Sequence, residues 1–128
     1  MTAKVYWLDE PDIMVAEYAG DLTNDDIDQA MDVCLKTLDQ QNCHFLVDTL
    51  QLKTLPKDIF KIGSLVKLIN HPRRGWLIFV AQQNVMVKFA VQVLVRSNFK
   101  MMTDRDQAVA FLREAVRSAK SNSQVTSQ

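Results

Sequence analysis

The sequence predicts an α/β domain of order ββαβαβαβα, a mainly parallel five-stranded sheet with an N-terminal hairpin and four helices. Three observations predict it. Short runs of β-branched and aromatic residues alternate with segments of helical periodicity. Turn chemistry joins the first two runs. One later run, Trp76–Ala81, is apolar at every position, as a central strand buried on both faces is. At 128 residues with 48% hydrophobic content and only three glycines and three prolines, the chain reads as one ordered domain. That domain is expected over residues 1–117, followed by a polar, disordered tail over 118–128.

Lys4–Leu8 and Ile13–Ala19 are read as the hairpin, with Asp9-Glu10-Pro11-Asp12 as its turn. Thr23 caps the first helix, and Asp26 three residues on completes a capping box. Ile27, Ala30, Met31, Cys34, Leu35 and Leu38 then form one apolar stripe. His44–Thr49 is a short strand. Pro56 suits the first position of a second helix that runs to about Ile69, where His71-Pro72-Arg73-Arg74-Gly75 stops it. Val85–Val95 carries polar residues every fourth position and is read as a third helix. Phe99–Thr103 is the last strand, and Thr103 or Asp104 caps a final helix whose Ala108, Phe111, Leu112 and Ala115 face inward.

Charge is sorted along the chain. Residues 1–48 hold eleven of the fifteen acids and only two bases, Lys4 and Lys36; residues 49–128 hold thirteen bases and four acids. The net charge is zero, so the expectation is a dipole running from an acidic edge of the sheet to a basic one, able to steer charged partners. The bases are not interleaved with exposed aromatics, which argues against nucleic acid. The longest apolar stretches fall well short of the ~20 residues a membrane span needs. The first residues lack the pattern of a signal peptide, so a cytoplasmic location is expected, with Cys34 and Cys43 as reduced thiols. Those cysteines, His44 and His71 lack the short spacings of a zinc site and read as ordinary core and loop residues; no metal and no cofactor are expected.

Several stretches together resemble a known family. They are Tyr18-Ala-Gly-Asp-Leu-Thr23, Phe45-Leu-Val-Asp48, His71-Pro-Arg-Arg-Gly-Trp-Leu-Ile-Phe-Val80 and Asp106-Gln-Ala-Val-Ala-Phe-Leu112. In their order and spacing, over residues 4–115, the chain resembles the STAS domain of the anti-sigma-factor antagonists (SpoIIAA-like), and in particular small bacterial STAS-like proteins. The resemblance implies a sheet with helices largely on one face, and a role in binding rather than catalysis. Antagonist proteins are phosphorylated on a serine at the start of the second helix. The matching stretch here, Thr49–Asp58, has no serine, and Thr54 is the substitute acceptor it offers.

Catalytic patterns are missing: no histidine, cysteine or serine has a credible partner, and no glycine-rich phosphate loop is present. The chain is read as non-enzymatic. A ligand-binding candidate lies where the loops after parallel strands meet, with Asp48, Thr49, Gln82, Gln83, Asn84 and Thr103. The second and third helices carry more apolar residues than one buried stripe requires. Phe60, Leu65, Leu68, Phe89 and Val93 are therefore candidates for a homodimer interface or for a groove that takes a lipid-like ligand, apolar or anionic. The expectation is a regulatory interaction module that binds itself and an unidentified protein partner.

Overall fold

The structure, a computed structural model, describes residues 3–54, 62–85 and 98–126, with side chains through residue 120. Strands β1 (Ala3–Asp9) and β2 (Ile13–Asp21) form the hairpin, α1 spans Asn24–Gln40, and β3 spans Cys43–Thr54. Then come α2 (Gly63–Ile69), β4 (Arg74–Val80), β5 (Phe99–Met102) and α3 (Arg105–Thr126). Residues 83–85 are helical, at the start of the expected helix over Val85–Val95. The rest of that helix lies outside the described residues, as does the first half of the helix expected from Pro56.

The five strands lie in sequence order, β1-β2-β3-β4-β5. Only β1 and β2 pair antiparallel; the other three pairings are parallel. This is the mixed, mainly parallel sheet that the sequence predicts. β3 runs five residues past the expected end at Thr49. Between Glu17↔Asp48 and Ala19↔Gln51 the register with β2 slips, and the strand then continues beside β2 as far as Asp21↔Thr54. A slip of this kind re-aims side chains. Leu50 accordingly packs on one face of the sheet and Leu52 on the other.

Two layers of core result. On one face, Met14, Tyr18, Phe45, Leu77 and Phe79 meet the stripe of α1 (Ile27, Met31, Cys34 and Leu38) and Leu65, Leu68 and Ile69 of α2. Burial of each large side chain contributes roughly 1.5–3 kcal/mol. The start of α1 is set by Thr23, whose hydroxyl accepts from Asp26 N at 3.1 Å while Asp26 Oδ2 accepts from Thr23 N at 3.2 Å. The other face belongs to α3. Ala108 and Leu112 are buried there against Ile13, Val15, Leu46, Ile78 and Val80. Phe111 stands edge-on to Trp76 with ring centroids 4.9 Å apart.

Three expectations are corrected here. The helices do not share one face: α3 covers the face opposite α1 and α2, because Ile13, Val15, Leu46, Ile78 and Val80 make that face apolar too. The polar tail does not begin at residue 118, since the backbone of α3 stays helical to Thr126. The charge split does not become a clean division in space. α3 carries bases back over the acidic hairpin, where Arg113 Nε lies 2.8 Å from Asp9 Oδ2 and Lys120 Nζ lies 3.1 Å from Asp12 Oδ2.

Candidate functional site

Pleating places Tyr6 of β1, Glu17 of β2 and Asp48 of β3 on the α3 face, where Glu17 and Asp48 are register neighbours. Asp104 starts α3 above them, its carboxylate accepting from Gln107 N at 3.1 Å. Arg105 is thereby lowered onto the three. Arg105 Nη1 donates to Asp48 Oδ2 at 2.9 Å and lies 3.5 Å from Glu17 Oε1. Its Nη2 donates to the Tyr6 hydroxyl at 2.6 Å, and that hydroxyl donates to Glu17 Oε2 at 3.0 Å. Asp48 Oδ1 accepts from Leu50 N at 3.0 Å. The bond to Tyr6 and then the bond to Asp48 hold the Arg105 guanidinium more firmly protonated than usual, against partial burial. One guanidinium thus serves two carboxylates and a phenol. The cluster anchors α3 to the sheet.

The six expected ligand residues do not converge. Because β3 continues past Thr49, Asp48 and Thr49 are strand residues on opposite faces rather than a loop pair. Thr49 donates through Oγ1 to Val80 O at 2.8 Å, on the side away from Arg105. With Gln82, Asn84, Leu52, Lys53, Thr54 and Val85 it lines a cavity of about 90 Å³, small beside the ~300–1,000 Å³ of ordinary ligand pockets. Gln82 Nε2 donates to Leu50 O at 3.2 Å. Gln83 is exposed at the foot of the helix that begins there, and Thr103 is exposed in the connection from β5 to α3. The structure therefore brings Thr49, Gln82 and Asn84 together and separates Asp48 from them.

Leu65 and Leu68 are not available as an interface: both are buried under α1, because α2 turns them toward the sheet. Phe60, Phe89 and Val93 lie outside the described residues. Thr54 is exposed at the end of β3, where its hydroxyl donates to Asp21 Oδ1 at 3.0 Å, so a phosphoryl group there would meet a carboxylate. A serine absent from the expected stretch occurs a few residues later: Ser64, in the first turn of α2, donates to Asp28 on α1. These two residues border an open cavity of about 510 Å³ together with Asp32, Leu35 and Lys67.

The two cysteines and two histidines are tied into the fold. Cys34 and Cys43 are buried, and burial pushes both thiols up to about 12. His44 Nδ1 accepts from Trp76 N at 2.8 Å, and desolvation lowers its pKa. His71 Nδ1 accepts from Arg73 N at 3.1 Å. Tyr18 is the exception: it is 2% exposed, its hydroxyl has no hydrogen-bond partner among the described residues, and burial raises its pKa.

Sequence reasoning missed Tyr6, Glu17 and Arg105. A signal for them existed: Glu17 and Asp48 are lone carboxylates in strands that are otherwise apolar through their buried stretches, and such a carboxylate needs a cation or donors.

This sheet order, with α1 and α2 on one face and α3 on the other, defines a SpoIIAA-like fold. A solved structure similar to it is that of an uncharacterised protein from the DUF3478 family with a SpoIIAA-like fold, from Shewanella loihica PV-4. The two superpose with a TM-score of 0.62 and 16% sequence identity, over 86% of this chain and 91% of that one. No family model matches the chain, and no curated protein does. Among the described residues, no helix is long and apolar enough to cross a membrane.

Proposed function

We propose that this chain is a non-enzymatic interaction module, regulatory in role, that acts through protein–protein contacts and self-associates as a homodimer in the cytoplasm. The observation that carries this reading is the commitment of its reactive groups to structure. Arg105, Asp48, Glu17 and Tyr6 satisfy one another, both histidines accept from backbone N–H groups, and the two thiols are held protonated. A catalytic acid, base or nucleophile is instead matched to its task near neutral pH and open to substrate. The SpoIIAA-like fold is consistent with a binding role.

A second reading, a carrier or sensor of an apolar or anionic, lipid-like ligand near α2 and the helix expected over Val85–Val95, is favoured by Tyr18, which packs in the layer of α1 and α2. Its unpartnered buried hydroxyl would bond a ligand acceptor inside an apolar layer. The cavity between α1 and α2 favours it less, since Asp28 and Asp32 line it and would repel an anion.

Native mass spectrometry of the purified chain tests both. A dimer without adduct supports the interaction module. A monomer carrying a co-purified small molecule overturns it in favour of the carrier. A bare monomer overturns both.

A further inference from the structure

His44 stands where β3, β4 and the hairpin turn meet. Between Cys43↔Arg74 and Phe45↔Leu77 the register of β3 with β4 slips, so that Gly75 and Trp76 together face His44. A bulge of this kind leaves a backbone group without its ladder bond. Here the imidazole supplies the bond: Nδ1 accepts from Trp76 N at 2.8 Å. The ring lies close against Gly75, where a Cβ would come within 2.3 Å of Nδ1. Alternation along β3 puts His44 on the face of Leu46, the one that α3 covers.

Both neighbours of the ring hold α3. Trp76 meets Phe111 edge-on. Asp12, whose carbonyl accepts from His44 N at 2.9 Å, binds Lys120 Nζ through Oδ2 at 3.1 Å. Beyond Leu112, no α3 side chain is buried among the described residues, so this part of the helix depends on such contacts. Arg113 adds its pair with Asp9, which is largely exposed and therefore weak.

We propose that His44 is a pH-responsive clasp: in its neutral form it holds α3 on the sheet from Phe111 onward, and its protonation releases that segment. An Nδ1 that accepts is unprotonated, so the neutral ring carries its proton on Nε2. The imidazolium has a donor at both nitrogens. It meets the Trp76 N–H donor to donor, and Trp76 loses the bond that sets it against Phe111. The same imidazolium competes with Lys120 for Asp12. One proton thus weakens two contacts of the segment at once, and apolar surface around Trp76 opens in acid and closes at neutral pH. Self-association does not enter this device.

The groups around the ring set the sign. Burial lowers the His44 pKa from the ordinary 6.5, and the charge of Asp12 opposes this without overcoming it. Lys120 of α3 is bound to that Asp12, and Arg74 of β4 directs its Nη1 to Gly75 O at 2.8 Å. With the segment lifted the ring is solvated and takes up a proton more readily. Docking is therefore complete above 6.5 and is lost as pH falls below it.

Amide hydrogen exchange of the full chain, followed by NMR between about pH 8 and pH 5 together with the titration of the His44 ring, tests this. Protection of the Trp76 amide and of the amides from Phe111 to Lys120 should fall about tenfold with the midpoint of His44, while α1 stays protected. His44→Asn puts a carbonyl oxygen near the place of Nδ1 and has nothing to titrate, so it should abolish the pH dependence. Protection that is unchanged while His44 titrates, or that falls with another midpoint, overturns the proposal. So does an equal fall in α1, or a His44→Asn chain that keeps the pH dependence. If His44→Asn does not fold, exchange in the wild type decides the matter alone.

Discussion

Arg105 Nη1 sits 2.9 Å from Asp48 Oδ2, joining the first turn of α3 to β3 across fifty-seven residues of sequence. The Asp48 side chain is 7% exposed and that of Arg105 is 30% exposed. The carboxylate is therefore the member of the pair that cannot fall back on water.

That asymmetry sets the first prediction. Arg105→Ala leaves a buried charge with one backbone donor, and should destabilise the fold by about 1–3 kcal/mol. The partial exposure of Arg105 keeps the value below that of a fully buried pair. Asp48→Asn/Arg105→Ala should recover part of the loss. Urea unfolding of the two single variants and the double variant gives the coupling energy directly.

Thr23→Ala removes the hydroxyl half of the capping box at the start of α1. A loss of ~1 kcal/mol is expected, seen as a Tm lower by a few degrees in calorimetry. An unchanged Tm would mean that the core stripe of α1, rather than its cap, determines where the helix begins.

Gly75 is needed for lack of a side chain. A Cβ there would lie 2.3 Å from His44 Nδ1, the atom that accepts the Trp76 N–H. Gly75→Ala should cost about 1–3 kcal/mol through overpacking. Combined with His44→Ala it should cost less than the two single changes added, because the clashing ring is gone. Denaturant titration of the four chains decides this.

The buried thiols give a pH dependence of known sign. Burial raises Cys34 and Cys43 from a reference of 9.0 to about 12 in the folded chain. The folded state therefore keeps protons that the unfolded state releases above 9.0, and stability is lost as pH rises from there toward 12. Below 9.0 neither thiol contributes to the slope. Native protein at pH 8 should resist a thiol reagent that labels both cysteines once urea is added. Rapid labelling of the native chain would show that the thiols are reached without unfolding.

How much of this was legible in the sequence differs from element to element. The hairpin, the Thr23 cap and the α1 stripe depend on residues within a turn or two of one another, and all three were read correctly. The end of β3 was read too early because Gln51, Lys53 and Thr54 look like loop. They are held in the strand by β2, whose length is not written in β3. The candidate ligand site failed for the same reason. With β3 running on past residue 49, no loop opens there, and alternation along the strand keeps Asp48 and Thr49 on opposite faces.

By itself the sequence determined, among the described residues, the order of strands and helices, that most strands pair parallel, and that the acids gather in the first third of the chain. Local propensity, capping and hydrophobic period act over a few residues and leave their marks in order. The tertiary structure alone decided which face each helix covers, and that α3 returns Arg105, Arg113 and Lys120 to the acidic hairpin. Those contacts join residues a hundred positions apart, and they form because α3 buries Ala108 and Leu112 on a second apolar face of the sheet. Packing brought these opposite charges together, and so among the described residues the charge split along the chain is not a clean division in space.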